Sequence, residues 1–187
     1  MIDARSGLWV CVLWLGLCTG CSQGKTADSA CLALRDAVLE ADGTAVYDAL
    51  MQSTQWSIST VYKLHAQMAG AIATSYPGKE QAAALARLYA ADADSGRDLF
   101  WQLYPERYAA DFRERVGEQM PVTQVSDREA RCGTAASKPF VLSVGLDGKW
   151  GLSELDREWE DAKLRAYHDL ETVQQNVALY RRMGASK

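Results

Sequence analysis

Phe140-Val141-Leu142-Ser143-Val144-Gly145-Leu146-Asp147-Gly148-Lys149-Trp150-Gly151-Leu152 is the stretch on which the fold turns. Apolar residues alternate on both sides of an Asp-Gly pair, which predicts a β-hairpin of Phe140–Leu146 with Lys149–Leu152. A two-residue Asp147-Gly148 turn would pair Val144 with Gly151 and Leu142 with Ser153, wasting the apolar face. A three-residue loop, Leu146-Asp147-Gly148, instead pairs Gly145 with Lys149. Phe140, Leu142, Val144, Trp150 and Leu152 then share one face, with Gly148 left-handed in a G1-type bulge.

Helical signals lie on both sides of this hairpin. Downstream, Ser153 with Asp156 three residues on reads as a capping box opening a long helix over 153–183. Leu155, Trp159, Ala162, Ala166, Leu170, Val173, Val177 and Tyr180 fall within an arc of about 80° at 100° per residue. Acidic residues crowd the start and Arg181 and Arg182 the end, as the helix dipole favours. Such a stripe must be covered. The domain itself covers the proximal part, and the distal part, Val173–Tyr180, is the portion suited to extend beyond it and meet an envelope protein partner or a second copy.

Upstream, Val122–Cys132 reads as one irregular strand or two short ones. Before Pro121 the spacing is helical: Ala30–Ala41, a short helix capped by Thr44 through Met51, and Gln55–Tyr76. Then come Glu80–Ala91, Arg97–Tyr104, and a helix from Pro105 at its first position to Val116. The fold class is therefore α+β and helix-rich, with several N-terminal helices packed on a small antiparallel sheet, followed by a long C-terminal helix.

At the amino end, Arg5 precedes an apolar run from Leu8 to Leu17, and small residues lead to Cys21. Charged start, short apolar core and small-residue exit define a secretory signal peptide over 1–20. The run is about half of the ~20 residues a membrane-spanning helix needs. Residues 21–29 then form a tether, and 30–187 a single α+β domain. The full chain has 20 basic and 24 acidic residues, net −4, and losing Asp3 and Arg5 with the leader leaves that balance unchanged. Dispersed basic residues without interleaved aromatics exclude a nucleic-acid surface. Gly24-Lys25-Thr26 lacks the upstream glycine and preceding strand of a phosphate loop.

Small residues directly before a cysteine, here Thr19-Gly20-Cys21, resemble the lipobox of bacterial lipoproteins. The resemblance implies lipidation of Cys21, including palmitate-type chains, and attachment to the cell envelope. Ser22 at the next position resembles outer-membrane rather than inner-membrane retention, with the domain facing the periplasm. Each buried acyl CH₂ contributes about 0.8 kcal/mol, and two or more chains make a stable anchor. Cys11 and Cys18 leave with the leader, so Cys31 and Cys132 remain as an even pair in an exported protein, which predicts a disulfide. Two buried free thiols are the alternative.

Several helices followed by a short sheet, with Asp147-Gly148-Lys149-Trp150 late in the chain, resemble the ketosteroid isomerase-like, or nuclear transport factor 2-like, superfamily over roughly residues 30–155. That resemblance implies helices covering a curved sheet, with a cavity that binds a ligand, catalyses or is closed.

The chemistry-bearing residues are few. His65 sits in the stripe Ile58, Val61, Met68, Ala69, Ile72, Tyr76, where a buried, hydrogen-bonded histidine is the plain reading and a pocket acid/base the sharper one. Tyr62, His65, Trp101 and Tyr104 are candidate pocket residues. His168 lies opposite the last helix's stripe and reads as solvated. Two histidines so placed give no metal site, Asp92, Asp94 and Asp98 lack the glycine and terminal Glu of a calcium loop, and no motif calls for a cofactor. The expected function is a non-catalytic, lipid-anchored envelope lipoprotein, a binding or accessory module. The alternative is a small cavity enzyme, isomerase- or dehydratase-like, using His65.

Overall fold

Thr26 accepts a hydrogen bond from the Ser29 backbone N–H at 3.1 Å while the Ser29 hydroxyl accepts from the Thr26 N–H at 3.2 Å. This reciprocal capping box starts α1 (Ala27–Leu39) three residues before the expected Ala30 and shortens the tether by the same amount. The structure is a computed structural model that describes residues 26–88, 92–134 and 137–185. α1 ends in a Schellman motif: Asp42 N–H donates to Ala37 O (2.9 Å) and Ala41 N–H to Val38 O (3.2 Å). The motif forces Ala41 to φ 55°, a left-handed conformation that costs a residue with a Cβ about 1–2 kcal/mol. Ala41→Gly is therefore expected to stabilise the protein by about 0.5–1 kcal/mol, read as a higher urea midpoint. A lower midpoint would show that the strain is not there.

α2 (Gly43–Ala49) follows at once. Its N-cap is Asp42, not the expected Thr44: the Asp42 carboxylate accepts from the Thr44 and Ala45 N–H groups and from the Thr44 hydroxyl at 2.6 Å. That hydroxyl bond, then the backbone donors, holds the Asp42 carboxyl below the usual carboxylate range. α3 (Gln52–Ser75) is stopped by Pro77, and α4 (Gly78–Leu85) is shorter than the alanine run suggested.

α5 (Gly96–Arg107) runs through Pro105, and the break falls at Tyr108, before α6 (Ala109–Arg115). Proline was expected at a helix start; here it lies in a last turn, where the carbonyl it deprives of a donor belongs to solvent-facing Trp101. Ser95 caps α5 through the Asp98 N–H, and Asp98 in turn accepts from the Asp94 N–H at 3.0 Å. Asp94 and Asp98 thus belong to a capping turn.

β1 (Val122–Ser126), β2 (Glu129–Cys132), β3 (Phe140–Val144) and β4 (Trp150–Leu152) form an antiparallel sheet in sequence order. Val144 pairs with Trp150 and Leu142 with Leu152, the register of the three-residue loop. Gly145 N–H donates to Lys149 O at 2.8 Å, and Gly148 takes φ 75°.

The final helix, α7 (Asp156–Ala185), starts later than the expected 153. Ser153 does not cap it, because its hydroxyl donates to Val141 O at 3.2 Å and accepts from Ser143 Oγ at 2.9 Å. Asp156 reaches instead to the start of α3, accepting from Ser53 Oγ at 3.0 Å and from Thr54 Oγ1. A carboxylate at that helix N-terminus suits the α3 dipole.

Two hydrophobic clusters hold these elements. In the larger one the sheet's apolar face meets α1, α2, α5 and α6. Aromatic rings dominate it, with Phe100 stacked on Tyr108 at 5.4 Å and Phe112 edge-on to Phe140 at 5.2 Å. In the second, Ala166, Leu170, Val173 and Val177 of α7 pack on Leu64, Met68 and Ile72 of α3, with Ala84 and Leu85 of α4 alongside. Tyr180 stacks edge-on to Tyr76 at 5.0 Å. The distal stripe that was expected to suit a partner is thus covered by α3 and α4.

Candidate functional site: the surface around the start of α3

β4 docks its backbone directly on the corner between α2 and α3. Met51 N–H donates to Leu152 O at 3.1 Å, and Leu50 makes an isolated parallel bridge to Leu152. Gly151 permits this approach, since a Cβ there would lie 2.9 Å from Met51 N. The Gln55 side chain fastens the corner from the other side, donating to the Tyr47 and Leu50 carbonyls at 3.0 and 3.1 Å.

Clefts surround this corner. One of about 230 Å³ lies between Ala30 and Ala33 of α1, the corner residues Asp48 and Met51, and Asp147 and Lys149 of the hairpin. Met51 also borders a depression of about 160 Å³ shared by Trp56, Arg128 and Leu146. Trp56 continues into an open groove of about 510 Å³ along the α3–α7 seam, with Ser57, Lys63, Glu160 and Lys163. Asp156 and Arg157 extend it through a further 310 Å³.

Several polar groups of this seam are paired with one another. Glu160 accepts from Lys163 Nζ at 2.6 Å and Ser57 Oγ at 3.1 Å, and the lysine bond holds its carboxyl below the usual range. Among the described residues lining the four clefts there is no His and no Cys. Ser53 and Ser57 there donate to Asp156 and Glu160, and the arrangement offers a preformed surface with an indole 60 % exposed at its centre.

The candidate pocket residues are distributed between interior and surface. His65 is buried at 8 % exposure on the inward face of α3, and Tyr104 at 2 % lies between Phe100 and Phe112. Tyr62 is half-buried against the larger cluster, whereas Trp101 is 50 % exposed on α5. None of the four lines the clefts described above. His168 is on the solvent side of α7, as expected. Cys31 and Cys132 are buried at disulfide-bonding distance, with Cα atoms 5.7 Å apart. Cys21 lies outside the described residues.

The residue that the sequence reading missed is Arg115, 6 % exposed. Its guanidinium forms a fork with Glu154 (2.6 and 2.7 Å), reaches Asp111 at 2.9 Å, and donates to the Lys138 and Pro139 carbonyls. It also lies 3.9 Å over the Phe140 ring. The i, i+4 spacing of Asp111 and Arg115 was visible, but nothing local marks an arginine for burial. Tyr108 donates to Glu158 at 2.7 Å, and burial, then that bond, pushes its phenol well above the usual value.

No family model, curated protein or solved structure matches this chain. Among the described residues, no group of three or more His, Cys, Asp or Glu could hold a metal ion, and no helix is long and apolar enough to cross a membrane.

Proposed function

We propose that this protein is a lipid-anchored module of the bacterial cell envelope, exported through residues 1–20 and held by acyl chains on Cys21, on the outer membrane facing the periplasm. It acts by binding, as a non-catalytic accessory domain, and its working surface is the cleft system around the start of α3. The observation that carries the binding half is the filled interior. The space between sheet and helices is packed with Phe100, Tyr104, Tyr108, Phe112 and Phe140, which touch in sequence, and His65 is enclosed within α3's buried stripe. Exposed binding chemistry is gathered instead at Trp56 and the polar seam beside it. The anchor half rests on the leader and on the residues before Cys21.

Feeding cells alkyne-tagged palmitate tests the anchor. Label is expected on the wild-type chain and absent from Cys21→Ser. Label retained by Cys21→Ser would place the acyl group elsewhere and overturn the assignment.

A further inference from the structure

Because Thr26 caps α1, only residues 22–25 separate Cys21 from the folded domain. Five peptide steps reach at most about 18 Å. On the lipid-anchored reading, on which this inference rests, the first turn of α1 is therefore held close to the bilayer. The clefts show what else lies at that end. Ala30 and Ala33 of α1 share one cleft with Met51, Asp147 and Lys149, and Met51 borders the adjoining one with Trp56, Arg128 and Leu146. The first half of α1, the hairpin tip and the first turns of α3 are thus neighbours.

Two large apolar side chains face outward there. Leu146 is 92 % exposed and Trp56 60 % exposed. Neither belongs to a core cluster, and the tip of a tight turn is ordinarily a place for polar residues. Indole rings favour the level of lipid headgroups, where one edge is apolar and the other wet.

We propose that Trp56 and Leu146 form a lipid-contact patch that seats this end of the domain on the bilayer to which the chain is anchored. The occupant is the lipid surface itself, since the short tether brings that surface within reach of these two side chains. Charge has a minor part: Asp147 Oδ2 lies 3.9 Å from Lys149 Nζ and offsets it, and Arg128 flanks the tip among the described residues. Contact is therefore expected on zwitterionic as well as anionic vesicles. An anchored domain seated in this way has a fixed orientation, with the Asp156–Lys163 part of the seam left open to the periplasm.

The test uses the acylated chain purified from membranes and reconstituted into phosphatidylcholine vesicles, with and without brominated acyl chains. The Trp56 signal is the difference between wild type and Trp56→Phe. Brominated lipid is expected to quench it, because an indole at the headgroup–acyl boundary lies within reach of the bromines, and Leu146→Ser should restore part of the loss. Equal Trp56 emission in both lipids would overturn the patch. The intact mass of the same sample reports acylation separately. An acylated chain with unquenched Trp56 defeats the patch alone, whereas an unacylated chain defeats the anchor and the patch with it.

Discussion

Arg115→Met is expected to destabilise the protein by about 3–5 kcal/mol, the usual cost of leaving a partner charge unpaired. The side chain of Arg115 is 5 % exposed and that of Glu154 14 %, so the fork between them is largely shielded from water. Asp111, at 58 %, is well solvated and adds little. The loss has several sources. Glu154 would lose a bidentate partner, the Lys138 and Pro139 carbonyls would lose their donors, and the cation over Phe140 would disappear. Lysine cannot reproduce the planar fork, so Arg115→Lys should recover little. Adding Glu154→Gln to Arg115→Met should restore part of the stability, because the stranded charge is then gone. Urea midpoints measure all of this; a shift equivalent to less than about 1 kcal/mol for Arg115→Met would show that the cluster is not shielded.

Reduction of the Cys31–Cys132 pair should have an effect of similar size. The two residues are 101 positions apart, for which the chain-entropy model gives about 4–5 kcal/mol, less any native strain. They join α1 to the end of β2, so the link ties the first helix to the sheet that it covers. Denaturant midpoints with and without reductant give the value, with Cys31→Ser/Cys132→Ser as the control that must ignore the reductant. Non-reducing peptide mapping of exported protein should recover the two cysteines in one linked species. Two thiols free to alkylate, or a midpoint indifferent to reductant, would contradict the pairing.

The hairpin could be read from sequence to the residue because a slip of one position turns every side chain to the other face. With Phe140, Leu142, Val144, Trp150 and Leu152 to place, only one register is tolerable, and it is the one observed. The α7 stripe was legible for the same reason, since periodicity reports which face must be buried. Helix starts were less so. Ser153 and Asp156 look like a local capping box, yet each is committed to a distant partner, Ser153 to β3 and Asp156 to α3. Thr44 yielded to Asp42 because the Schellman turn sets the chain direction two residues earlier.

The candidate site was largely illegible. Arg115 is enclosed by three separate stretches of the chain, 111–112, 138–140 and Glu154, which no local pattern encodes. Trp56 did leave a signal: at 100° per residue it falls about 140° from the centre of the buried stripe of α3. Helical periodicity alone therefore places this indole on the solvent side of α3.

The most direct measurement is the intact mass of the protein extracted from membranes. The account predicts a chain that begins at Cys21, lacks residues 1–20 and carries the added mass of its acyl chains. A chain that retains residues upstream of Cys21 and carries no acyl mass would contradict it.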